Sequence, residues 1–196
     1  MKKTAHHHRI RVHLRDINQL FNSMDPSPFQ EKDLDQDAEE FIISWAQEYP
    51  RKDPIELVIQ VDRTPDWPDA HKTVTDAIHH YFDYRAKLNW MEFKRLMKTG
   101  RTSLIIGLVF LGACLSVAEI LSKQDTGTFL TFVKENLTIA GWVAMWRPLE
   151  IYLYEWWPLR RKGQIFEKMA RMPVHIVVGK GADVPLNLEE PPASGI

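Results

Sequence analysis

The stretch from Leu137 to Pro158, LTIAGWVAMWRPLEIYLYEWWP, constrains this chain more than any other. It is apolar and aromatic, yet Arg147, Pro148 and Glu150 stand near its middle. It reads as the second, kinked half of a membrane hairpin whose first half is Thr102–Leu121. That first run holds one charged side chain, Glu119, near its end. Its length matches the hydrocarbon core of a bilayer. The buried helix of a soluble protein is the alternative. Basic residues stop where the run starts and resume after the second run, which favours lipid. Leu137–Met145 alone is too short to cross. Crossing requires continuing through Arg147 and Pro148 to about Trp157. Otherwise the segment is re-entrant, followed by an interfacial helix with Pro148 in its first turn.

The flanks have a different pattern. Ile10, Val12 and Leu14 alternate with polar residues over 9–15, the period of a half-buried strand. Asp16–Asn22 allows one or two helical turns, and Pro26 and Pro28 impose a loop. Asp33–Tyr49 predicts a helix with an acidic start and an apolar face of Leu34, Ala38, Phe41, Ile42 and Trp45. The alternate acids from Asp33 read as a helix start, because a calcium loop would need a glycine and a terminal glutamate. Ile55–Val61 predicts a second strand, more covered than the first because Val58 lies on its other face. Pro65–Pro68 is a turn. From about Asp69 to Leu121 no proline interrupts a helical pattern of about 53 residues, roughly 80 Å if unbroken. A break near Lys98-Thr-Gly is the alternative. Ser122–Asn136 reads as a short polar connection with an interfacial turn. After Arg160-Arg-Lys, a helix to about Arg171 and a third strand over 173–178 are expected. The tail from Gly179, with Pro185, Pro191 and Pro192, is expected to be loose.

The expected fold is therefore α+β: a small cytoplasmic sheet-and-helix domain with an inserted two-helix transmembrane hairpin and a long helix leading into the membrane. Residues 1–99 form the domain and 100–158 the hairpin. Residues 159–179 return to the domain, and 180–196 form the tail.

Charge sets the expected orientation. Arg85, Lys87, Lys94, Arg95, Lys98 and Arg101 precede the first span, and Arg160, Arg161, Lys162, Lys168 and Arg171 follow the second. The connection has Lys123 and Lys134, offset by Asp125 and Glu135. Both termini are expected in the cytoplasm. Trp156, Trp157, Arg160 and Arg161, with Tyr152 and Tyr154, suit interfacial anchors on that side. A formal net charge of -1 offers no field for nucleic acid. The single cysteine, Cys114, excludes a disulfide or a Cys-based zinc site within one chain. The N-terminus lacks the apolar core of a cleavable signal.

Arg147, Glu150 and Tyr154 would share one face of a helix. Charge at membrane depth usually faces protein or water. The first reading is a packing pair between hairpins or subunits. Snorkelling to the headgroups and an ion or proton pathway are the others. Pro148 cannot donate to the carbonyl of Ala144, and marks a kink. Gly107, Gly112, Ala113 and Ala118 offer small surfaces for close helix contact. His6–His8 and the adjacent His79 and His80 read as surface clusters rather than metal sites. No phosphate-binding loop, dinucleotide fingerprint, nucleophile elbow or HExxH occurs.

The run GWVAMWRPLEIYLYEWWPLRR, with FNSMDPSPF and DAEEFI upstream, resembles a family of small bacterial inner-membrane proteins of uncharacterised activity. The resemblance covers most of the chain. It implies a multi-pass protein of the inner (cell) membrane, and brings no catalytic residues or cofactors. The leading expectation is a non-enzymatic, oligomeric scaffold or accessory subunit, partnered by lipid, by copies of itself and by another membrane protein. An oligomeric channel or transporter using Arg147 and Glu150 is the second. A membrane-tethered ligand sensor is the third.

Overall fold

A computed structural model describes residues 8–50, 53–63, 69–123 and 127–179. The chain divides into two compact units, Met1–Phe82 with Lys168–Ile196, and Asp83–Glu167. The expected turn at Pro65–Pro68, the tail beyond Gly179, Asp125, His6 and His7 lie outside the described residues.

The first unit is built on three parallel strands, β1 (His8–Leu14), β2 (Ile55–Val61) and β3 (Val174–Val178), in the order β1-β2-β3. Parallel neighbours need a crossover rather than a tight turn. Between β1 and β2 the crossover holds helix α1 (Gln36–Glu48). Ile55, Leu57, Ile59 and Val61 of β2 are all but fully buried. On the opposite face, Glu56, Val58 and Gln60 are half-buried, whereas Arg9, Arg11 and His13 of β1 are exposed. The central strand is the better covered one, as Val58 on its second face predicts. Gly179 ends β3 at a φ of 133°, where its N–H donates to the Val61 carbonyl.

Asp35 caps α1 by accepting from the Asp37 N–H at 3.0 Å, so the acidic run is a helix start. The inward face differs from the expected one. Glu39, Ile42 and Ala46 are buried, and Phe41 is 42% exposed. The Glu39 carboxylate accepts a 2.8 Å hydrogen bond from the Tyr81 hydroxyl. This turns a charged position inward that apolar periodicity would leave outside.

Helix α2 (Ala70–Ser122) runs for 53 residues with no break at Lys98-Thr-Gly. Its early positions Val74, Ala77, Ile78 and Phe82 join the core of the first unit, with Met169, Met172 and Val174. His79 is 2.8 Å from the Met172 carbonyl, so it is tied into packing and does not converge with His80 on a metal.

In the second unit, α2 is accompanied by α3 (Thr128–Ala144), the five-residue α4 (Trp146–Glu150), a π-helical turn (Ile151–Glu155) and α5 (Trp156–Met169). The polar connection is shorter than expected, because α3 starts at Thr128. Gly127 seeds it, its carbonyl accepting from the Leu130 N–H at 3.0 Å. The partners run antiparallel. Lys134 reaches Ser122, Gly141 lies against Leu111 and Cys114, Gly107 against Ala144 and Met145, Gly100 against Ile151, and Asn89 against Leu159. Among the less exposed positions, 100, 104, 107, 111, 114, 118 and 121 of α2 and 130, 134, 137, 141, 144, 148 and 151 of its partner alternate steps of four and three. That 3.5-residue spacing is the one found at the seams of supercoiled helices.

Candidate functional site: an apolar band with a charged edge

The seam depends on small residues. A Cβ at Gly100 would meet Ile151 at 2.9 Å, and one at Gly141 would meet Leu111 at 2.9 Å. A Cβ at Gly107 would lie 3.0 Å from the Ala144 carbonyl oxygen, the group to which Pro148 cannot donate. Pro148 is itself buried. Among the small residues singled out by sequence, Gly107 and Ala118 face the seam, whereas Gly112 meets open space and Ala113 is exposed. Gly100, Cys114 and Gly141 take the remaining places. The seven-residue spacing from Gly107 marks Gly100 and Cys114 in the sequence, and nothing comparable marks Gly141.

Away from the seam, apolar side chains point out. Ile105, Ile106, Leu108 and Val109 of α2 are 52–69% exposed, and Ile139, Trp142, Val143 and Trp146 opposite are equally bare. One 18-residue window of α2 has a mean hydropathy of 2.5 and is only 17% buried. The core helix of a soluble protein would be mostly buried. This helix is long and apolar enough to cross a bilayer, and its apolar face lies outside. Its ends are charged, with Arg101 before the band and the Glu119–Lys123 pair at 3.1 Å after it. The rise from Arg101 to Glu119 is about 27 Å, close to a hydrocarbon core of about 30 Å.

The charged cluster sits at one edge of the band. Arg147 donates to Glu150 at 2.9 Å and also to Glu155. Tyr154, expected as the third member, is 70% exposed and is not brought to Arg147. The π-helical turn explains the exchange. Its extra residue per turn shifts the following positions by one, so that Glu155 takes the place a regular helix would give Tyr154. The antiparallel register fixes the level. Ala144 lies opposite Gly107 and Ile151 opposite Gly100, so Arg147 falls near Leu104, about one turn from Arg101.

The tryptophan pair, expected as interfacial anchors, lies outside the band. The Trp156 and Trp157 rings are tilted by 39° with centroids 5.0 Å apart, the Trp156 N–H donates to the Tyr152 carbonyl, and the Arg160 guanidinium is 5.8 Å from the Trp156 ring. They lie beyond Ile151, toward Leu159, alongside the basic part of α2. Arg160 and Arg161 are exposed there. At the band itself Trp142 and Trp146, four residues apart, are exposed, as are Phe110 and Phe132.

Among the described residues no group of three or more His, Cys, Asp or Glu could hold a metal. No family model, curated protein or solved structure matches the chain.

Proposed function

We propose that the chain is an integral membrane protein. In this reading α2 from Thr102 and α3 with its continuation form a two-helix transmembrane hairpin inserted between β2 and β3 of an α+β domain. The observation that carries it is the exposure of the apolar band. Water would penalise each bared Ile, Leu or Val by roughly 1.5–3 kcal/mol relative to burial. Lipid removes that penalty. The distribution of Lys and Arg supports cytoplasmic termini by the positive-inside rule, and the family resemblance supports a bacterial inner membrane.

The role that fits best is a scaffold or accessory subunit without catalytic activity, assembled with copies of itself or with another membrane protein. The outward Gly112 and Ala113 give one place where a second helix can approach. The channel reading gains nothing from the charged cluster, since Arg147 is engaged by two carboxylates of its own segment at the band's edge. No observation favours a ligand sensor over a scaffold.

Alkaline extraction of membranes from expressing cells tests this reading. The chain is expected in the high-speed pellet and to be released only by detergent. Recovery in the supernatant would overturn it. Sizing in nanodiscs then reads the assembly, with more than one copy per particle expected.

A further inference from the structure

We infer that the basic stretch of α2 next to the apolar band is a binding surface for acidic phospholipid headgroups. This rests on the bilayer reading above. Lys94, Lys98 and Arg101 follow one another at steps of four and three, so they line one side of the helix, and the next position of that row is Ile105. All are exposed, Ile105 at 64%. A single exposed row thus changes from cationic to apolar within one turn. That is the order in which an inserting helix meets phosphate and then acyl chain.

The charges are available. Lys98 and Arg101 have no ion pair among the described residues, whereas nearby Lys87 is held by Asp83 at 2.6 Å. Lys94 lies over the Trp90 ring at 3.3 Å, which holds the ammonium in place without neutralising it. Thr99 and Thr102 turn their hydroxyls back to the carbonyls of Arg95 and Lys98. On α2 itself Glu92 is the one acidic residue between Asp83 and Glu119, and the carboxylates of the facing segment, Glu150 and Glu155, are engaged by Arg147.

The dimensions agree. From Arg101 back to Lys94 the helix rises about 10 Å. A headgroup layer is about 5–8 Å deep on each side of the core, and long basic side chains snorkel over the difference. Lys and Arg near an anionic surface gain from its potential, and the gain is screened by salt.

The test uses the full chain in vesicles containing either brominated phosphatidylglycerol or brominated phosphatidylcholine at equal fraction, and reads quenching of tryptophan emission. Quenching by the anionic lipid is expected to be at least twofold stronger at low salt. The excess should shrink in 0.5 M salt and vanish in the Lys94→Gln/Lys98→Gln/Arg101→Gln variant. Equal quenching by both lipids in the unmodified chain, or an excess that survives in the variant, would overturn the inference while leaving the bilayer reading intact. Absence of quenching by either lipid would instead remove the bilayer reading and the inference with it.

Discussion

Ile59 and Ile106 are the same side chain in opposite surroundings. The first, in the sheet-bearing unit, is fully buried; the second, in the helical unit, is 63% exposed. The contrast holds along both segments. Ile55, Leu57, Ile59 and Val61 are hidden, and Ile105, Ile106, Leu108 and Val109 are bare. Burial inside the molecule accounts for the first group and cannot account for the second. The proposed membrane reading gives one chain two solvents, water around the sheet and hydrocarbon around the band.

The strongest way to break this comparison is to put one charge at each place. Ile59→Asp buries an unpaired carboxylate in a packed core, and should destabilise the sheet-bearing unit by more than about 4 kcal/mol. Loss of protease resistance in that unit is the readout. Val109→Asp should leave that resistance intact, because the side chain is 69% exposed. It should instead impair membrane insertion by an apparent 2.5–3.5 kcal/mol or so, measured by glycosylation mapping or carbonate extraction. Normal insertion of Val109→Asp would remove lipid from the account.

A second pair sharpens the helical unit's own inside and outside. Gly107→Val pushes two branches against the Ala144 carbonyl, and should cost about 1–3 kcal/mol in thermal unfolding in detergent. Gly112→Ala meets open space, and should be neutral or stabilise by up to about 1 kcal/mol through helix propensity. Equal effects would mean that the seam is wrongly assigned.

The smallest effect concerns the sheet-bearing unit in acid. Hydrogen bonds from the backbone N–H groups of Asp33 and Ser27 hold the Asp25 carboxyl below the usual carboxylate range. A folded value below the unfolded one contributes stability above about pH 4, and this is lost as pH falls through the folded value. Asp25→Asn should therefore flatten the acid limb of the stability profile slightly, and leave it unchanged above pH 6.

Much of the architecture was legible in residue order. The three strands, the proline-free helix and the apolar run follow from periodicity, because burial on one face dictates which residues recur. The inward turn of Glu39 was not legible, since its partner Tyr81 is distant in sequence and periodicity scores only apolar residues. The exchange of Tyr154 for Glu155 was hidden for another reason. A regular helix was assumed through Pro148, and the π-helical turn that follows shifts every later position by one. The start of α3 was missed because Lys134, Glu135 and Asn136 look like a loop until the antiparallel neighbour places Lys134 beside Ser122. The parallel arrangement of the strands depends on connections that composition does not encode.

The most direct measurement is the collision accessibility of a spin label at Val109, on a background with Cys114 replaced by alanine, in vesicles. A lipid-facing label collides with oxygen far more often than with a water-soluble nickel chelate, and that is the expected result. A label that the chelate reaches as readily as oxygen would place Val109 in water and contradict the account.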